Sequence, residues 1–128
     1  MIVIDASCLF EVVADRPAAE SVRQRIEDEE HVAPHVIDVE VLGVIRRRHL
    51  LGELDPTAAS LAVESLQRWP GERFAHQTFL DRAWELRDRV RGWDAMYVAL
   101  GEALGVTLLT RDRRLARVRG LGCAIELL

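Results

Sequence analysis

Residues 94–112, DAMYVALGEALGVTLLTRD, decide the fold. From Asp94 to Leu104 nearly every residue is apolar, with Ala95, Met96, Val98, Ala99, Leu100, Ala103 and Leu104 at helical intervals. Gly105 stands where a helix ends with a left-handed residue. Val106 to Thr110 then reads as a strand that is apolar without alternation, as in a strand buried on both faces. An acid stands at each end of the unit: Asp94 opens the helix and Asp112 follows the strand after one residue.

The rest of the chain repeats this logic. Ile2-Val3-Ile4 is a short apolar strand that runs straight into Asp5, and Ala6 to Ala14 has helical spacing. Pro17 suits the first turn of a helix reaching Glu29. His31-Val32-Ala33 is a second strand, stopped by Pro34. A helix over Val36 to Leu51 follows, with Val39, Leu42 and Ile45 as its expected core stripe, Val41 and Val44 as further candidates for it, and Gly52 closing it. Asp55-Pro56 is an N-cap and N1 pair opening another helix, with a stripe of Ala58, Leu61, Ala62, Ser65 and Leu66. Arg73-Phe74-Ala75 is a third strand. Phe79 to Val90 is a helix expected to turn Leu80, Ala83, Trp84 and Leu86 to the core. Arg111 to Val118 is a short basic helix, and Cys123 to Glu126 a final strand. Strands alternating with helices predict an α/β fold, a mostly parallel central sheet with helices on both faces. The 128 residues fit one domain, 1–128, with no repeat or linker.

Composition narrows the function. The chain is 49% hydrophobic and 30% charged, enough to bury a core and stay soluble, and no window approaches the roughly 20 apolar residues of a membrane span. Met1-Ile2-Val3-Ile4-Asp5 lacks the basic region and cleavage site of a signal peptide, so a cytoplasmic protein is expected. Cys8 and Cys123 sit in apolar settings and are expected as buried thiols, and no CxxC or HExxH spacing offers zinc a site. The net charge of −4 argues against coating nucleic acid through bulk charge. All 17 basic residues are arginine, which removes Schiff-base, P-loop and receiver-domain lysine chemistry.

The acids carry the chemistry. In open parallel sheets, ligands bind beyond the carboxyl ends of the strands, and Asp5 and Asp112 fall there. Each acid also has a plain structural reading: Asp5, Asp94 and Asp112 are all at helix-capping positions. Glu40, flanked by Val39, Val41 and Leu42, risks burial and then needs a partner or a metal. Carboxylates gathered at one sheet edge remain ionised together when a cation neutralises them. An all-oxygen set suits Mg²⁺, with Mn²⁺ as a substitute, and a metal-activated water can attack a phosphodiester. Asp38 competes with Glu40, because periodicity leaves both beside the expected stripe. Asp38 reads otherwise as a helix N-terminal cap. His31, His35, His49 and His76 show no repeated ligand spacing, and Trp69, Trp84 and Tyr97 read as core or interface residues.

Four blocks now resemble a known family. They are IVIDAS at residues 2–7, APHVIDVEVL at 33–42, WDAMYVALGEALG at 93–105 and LLTRDRRLA at 108–116. Together they resemble the PIN domain, and in particular the toxins of VapBC-type toxin–antitoxin modules of actinobacteria. The resemblance spans nearly the whole chain and implies a three-layer α/β/α sandwich. It implies a Mg²⁺-dependent endoribonuclease with Asp5, Glu40, Asp94 and Asp112 as its acids. Asp5 and Asp94 would be direct metal ligands, with Thr110 and Ser7 supporting them. It also implies an RNA substrate, a VapB-type antitoxin as partner, and a homodimer. Arg111, Arg113, Arg114 and Arg117 are candidates for RNA contacts. The competing class is a non-catalytic α/β module that binds RNA or protein on a PIN-like scaffold. Its receiver-like form wants paired acids after the first strand and a late lysine, and the chain has neither.

Overall fold

A computed structural model describes all residues, 1–128. Five strands form one sheet: β1 (Ile2–Ile4), β2 (His31–Pro34), β3 (Glu72–Phe74), β4 (Leu108–Thr110) and β5 (Ile125–Leu127). Their order is β3-β2-β1-β4-β5, and every pairing is parallel. The expected mostly parallel sheet is therefore wholly parallel. β1 lies at its centre, with Val3 opposite Val32 on one side and Leu108 on the other. Ile2, Val3 and Ile4 are all fully buried, which is why this strand carries no polar alternation.

Seven helices cover the sheet: α1 (Ala6–Val13), α2 (Ala19–Ile26), α3 (Val36–Leu50), α4 (Pro56–Arg68), α5 (Leu80–Glu85), α6 (Asp94–Leu104) and α7 (Arg113–Ala116). A 3-10 turn over His76–Phe79 leads into α5. The chain steps from β1 to β2 to β3 in one direction, and α1 to α4 pack against one another along those crossovers. It then returns through α5 and α6 to β4 on the other side of β1. Right-handed crossovers running in opposite directions place their helices on opposite faces, giving the expected layers. The reversal between β1 and β4 opens a crevice at their carboxyl ends, the place where such sheets bind ligands.

Local signals set several boundaries as expected. Asp55 accepts the Ala58 N–H at 2.8 Å to open α4, and Gly105, at φ 65°, closes α6. Elsewhere tertiary contacts decide. Helix α2 ends at Ile26, short of Glu29, and its first free N–H groups include that of Ala18, which donates to Glu11 of α1 at 3.0 Å. Pro34 closes β2 from inside: β1 pairs only as far as Val32, so the missing N–H costs no ladder bond there. Strand β4 starts two residues late, at Leu108, and the Val106 N–H is drawn back to Gly101 at the end of α6. Strand β3 starts one residue early at Glu72, and β5 two residues late at Ile125.

Three expected core stripes are corrected. In α3 the buried residues are Ile37, Val41 and Ile45, while Val39 and Leu42 are exposed. In the segment over 79–90, Leu86 and Val90 are buried, whereas Leu80 and Trp84 face solvent. Helix α5 stops at Glu85, so the single helix expected to reach Val90 becomes a 3-10 turn, a short helix and a run of turns. In α4, Ala62 and Leu66 are buried, but Leu61 and Ser65 are exposed. Trp69 and Tyr97 are buried as expected. Both cysteines are free thiols, Cys8 buried and Cys123 half-buried. No helix is long and apolar enough to cross a membrane.

Candidate active site

At the crevice between β1 and β4, Asp5, Glu40, Asp94 and Asp112 line one cavity of about 420 Å³. Four separate stretches of chain deliver them. Asp5 leaves β1 in extended conformation and caps α1, accepting the Cys8 N–H at 3.0 Å. Asp112 leaves β4 in the same way and caps α7, accepting the Arg114 N–H at 2.7 Å. Asp94 is the first residue of α6, where the helix dipole favours an acid. Glu40 projects from the second turn of α3. For Asp5 and Asp112, capping a helix and lining the cavity are compatible: one carboxylate does both.

Hydroxyl groups, not cations, hold the deepest acids. Asp5 is 4% exposed. Ser7 donates to its Oδ1 at 2.6 Å and Thr110 to its Oδ2. Both hydroxyls also accept backbone N–H groups from the β4–α7 loop: Arg111 gives to Ser7 and Asp112 gives to Thr110, each at 2.9 Å. Two hydroxyl bridges therefore lock the loop carrying Asp112 onto Asp5. Across the cavity, the Tyr97 phenol donates to Glu40 Oε2.

The electrostatics follow from this placement. Burial pushes the Asp5 carboxyl up, and its hydrogen bonds counter only part of that. Glu40 is also raised, first by burial, then by the charges of Asp94 and Asp5, against the Tyr97 hydrogen bond. Asp94 is pushed up to about 6 by burial and by the charges of Asp5 and Asp112, and no hydrogen bond contributes. Burial works in the same direction on Asp112, but the hydrogen bonds and charge of Arg114 prevail and hold it below its usual range. The Tyr97 phenol is raised by burial and by Glu40, so it remains a proton donor.

The sequence expectation of carboxylates closing around an ion needs correction in one respect. The four share a cavity, but no three His, Cys, Asp or Glu side chains are set closely enough to enclose an ion. The donor set is all oxygen, and its groups repel one another. That fits a hard divalent ion held by one or two carboxylates, with water at its other positions, and does not fit an all-protein cage.

Other expectations separate here. Of the four arginines proposed for RNA, Arg114 lies beside the cavity, whereas the Arg111 guanidinium is tied to Glu11. Arg113 and Arg117 line neither this cavity nor the cleft next to it. Asp38 is no cap: both its oxygens are bound by Arg73, at 3.0 and 3.2 Å, and it lies off the cavity. None of the four histidines lines the cavity. Among the lining residues that escaped the sequence reading are two with hydrogen-bonding side chains, Tyr97 and Arg47. Arg47 was legible in principle: it follows Glu40 by seven residues, two helical turns on one face, with Gly43 and Val44 between them also lining the cavity. Trp93 forms part of the rim and is mostly exposed.

Comparison with known proteins places this geometry. The PIN domain family model matches residues 2–121. Ribonuclease VapC1 of Mycobacterium tuberculosis is 37% identical over 127 residues, covering 98% of this chain and 96% of that protein. Ribonuclease VapC12 of the same organism is 38% identical over 127 residues, covering 99% and 98%. Ribonuclease VapC3 is 39% identical over 119 residues, covering 91% and 85%. A crystal structure from Pyrobaculum aerophilum has the same fold, with a TM-score of 0.66 at 22% identity over 97% of this chain and 82% of that one.

Proposed function

The chain belongs to the PIN domain family, in its VapC-type group, and on that premise we propose that it is a divalent-metal-dependent endoribonuclease, the toxin of a toxin–antitoxin pair. One observation carries the reading: four acids from four parts of the chain line one cavity at the sheet's switch point, and three of them are raised in pKa, Glu40 partly by the charges of Asp94 and Asp5, and Asp94 partly by those of Asp5 and Asp112. Such a set is unfavourable alone and favourable around a cation.

In this reading Asp5 and Asp94 hold Mg²⁺ or Mn²⁺, while Glu40 and Asp112 act through water or as further ligands. The ion, when bound, offsets phosphate charge and lowers the pKa of a coordinated water. The protein's share is orientation. Ser7 and Thr110 fix both oxygens of Asp5 and tie them to the loop of Asp112. Tyr97 aims Glu40 into the cavity and, as a donor, keeps that carboxylate an acceptor. Asp94, free of hydrogen bonds, takes a cation at the lowest cost in lost contacts. The RNA presented is single-stranded or a loop, because a compact cavity must reach a bare phosphodiester. The protein acts in the cytoplasm, its partner is a VapB-type antitoxin, and it assembles as a homodimer.

The test is cleavage of total RNA by the antitoxin-free protein with Mg²⁺, Mn²⁺ or EDTA, followed by sequencing of the new ends. Discrete ends that require the ion, and that vanish in folded Asp5→Asn and Asp94→Asn proteins, are expected. Cleavage that persists in both variants would refute the proposed chemistry. RNA binding without products over the whole metal series would favour a scaffold role.

A further inference from the structure

The acid cavity does not end at Asp94 and Asp112. These two carboxylates form the shared wall of a second, smaller cleft of about 130 Å³, which is also lined by Arg89, Arg91 and Arg114. The charge balance inverts across that wall. In the larger cavity four carboxylates face one arginine, Arg47; in the smaller one three guanidinium groups face two carboxylates. None of the three closes a short ion pair. Arg89 spends one nitrogen on the Gly120 carbonyl, at 3.0 Å. Arg114 reaches Asp112 only at 3.5 Å, and Arg91 makes no hydrogen bond to a carboxylate. The Arg114 contact is longer than those made by the arginines at Glu126, Glu53, Asp38, Glu102 and Glu11, which run from 2.5 to 3.0 Å.

Size restricts the occupant. A volume of 130 Å³ lies well below the ~300 Å³ at which pockets for whole small ligands begin. It suits a compact anion and excludes a nucleoside. The buried Leu115 side chain in the floor lowers local screening, which strengthens guanidinium–anion contacts. Arginine's planar fork matches phosphate oxygens in pairs. Contiguity supplies the last element, because an anion here lies one shared wall away from the four-acid cavity.

We propose that the cleft of Arg89, Arg91 and Arg114 is a phosphate subsite that grips the RNA backbone next to the bond placed over the acids. The proposal rests on the ribonuclease reading and deepens it. The acid cavity repels the polyanion it must cut, and the adjoining arginines recover the attraction without neutralising the acids. Arg91 and Arg114 are binding residues; Arg89, anchored to Gly120, sets the far side of the cleft.

The experiment measures binding of a fluorescent single-stranded RNA oligonucleotide in EDTA over a salt series, by anisotropy, and cleavage of the same RNA with Mg²⁺. Arg91→Gln and Arg114→Gln are each expected to weaken binding about tenfold. Each should also reduce the slope of log affinity against log salt by about 0.7, the single-strand value for one phosphate contact. Arg91→Lys, which keeps the charge, should retain the slope. With Mg²⁺, KM should rise while kcat stays within about twofold. Arg91 is exposed, so its replacement should leave the melting temperature unchanged. Arg68→Gln, on the exposed end of α4 and lining neither cavity, is the control. An unchanged slope in both cleft variants, with wild-type cleavage intact, overturns the subsite alone. An equal loss in Arg68→Gln also overturns it, in favour of diffuse surface charge. Wild-type protein that neither binds nor cuts RNA removes the ribonuclease reading, and the subsite with it.

Discussion

Acids in this molecule are treated in two ways, according to where they lie. Away from the cavity many are paired with arginine: Glu126 with Arg25, Glu102 with Arg82, Asp38 with Arg73, Glu53 with Arg48. Glu102 and Glu126 are accordingly held below their usual pKa range, chiefly by the hydrogen bonds of their arginines. At the carboxyl ends of β1 and β4 the pattern changes. Asp5 and Glu40 are bound by the hydroxyls of Ser7, Thr110 and Tyr97, Asp94 by nothing, and all three are raised. A hydroxyl orients a carboxylate without cancelling its charge, whereas a guanidinium does both. A protein with 17 arginines has kept nearly all of them from the floor of one cavity, and the negative charge left there can act on a cation.

If the contrast is functional, removing charge inside the cavity should have the largest consequence. Asp5→Asn and Asp94→Asn are each expected to reduce metal-dependent RNA cleavage at least about 100-fold, measured as initial rate on a defined RNA. The metal-free Asp94→Asn protein should at the same time melt higher than wild type, because one member of a repelling set is gone. A lower melting point would show that the Asp94 carboxylate is stabilising and break the comparison.

Removing an orienting hydroxyl should come next. Tyr97→Phe leaves the Glu40 carboxylate half-buried and undirected. Cleavage should drop about tenfold, the lower end for partners that act through another group. Stability should fall by about 1 kcal/mol, read from urea unfolding. A variant as active as wild type would mean that the phenol is packing alone.

A smaller effect concerns pH. Asp94 has a folded-state pKa of about 6 against the ordinary 3.8, so folding favours its neutral form. Its contribution is therefore most favourable below about pH 4 and is lost as pH rises through 6. For the metal-free protein this costs about 1–2 kcal/mol at pH 7.5 relative to pH 4, allowing for solvent screening of a partly exposed group. Mn²⁺ should relieve the repulsion, so its gain in melting temperature should be larger at pH 7.5 than at pH 5. Equal gains at the two values would place the ion elsewhere. The smallest effect belongs to the surface pairs: Arg25→Ala should cost less than about 1 kcal/mol and leave cleavage unchanged.

Much of the fold was legible because local chemistry punctuates it. Asp55-Pro56, Gly105 and the apolar runs at 2–4 and 108–110 act through their own backbone and need no distant partner. The stripe of α3 was not legible for a simple reason. When residues 36, 37, 39, 41, 42, 44 and 45 are all apolar, periodicity offers several faces, and only the packing of α1 and α4 against α3 selects Ile37, Val41 and Ile45. Tyr97 was hidden similarly: on a helix apolar all round, a phenol reads as core, and its oxygen acquires meaning only opposite Glu40, 57 residues away.

The sequence by itself determined the layered parallel architecture, the family, and which acids stand at strand and helix ends, since those follow from neighbours along the chain. Only the tertiary structure decided that these acids share a cavity, that hydroxyls and not arginines hold Asp5 and Glu40, and that an arginine cleft adjoins them. The reason is physical. Burial and charge repulsion depend on distance through space, and the reversal of the chain at β1 and β4 brings together groups as far apart in sequence as Asp5 and Thr110.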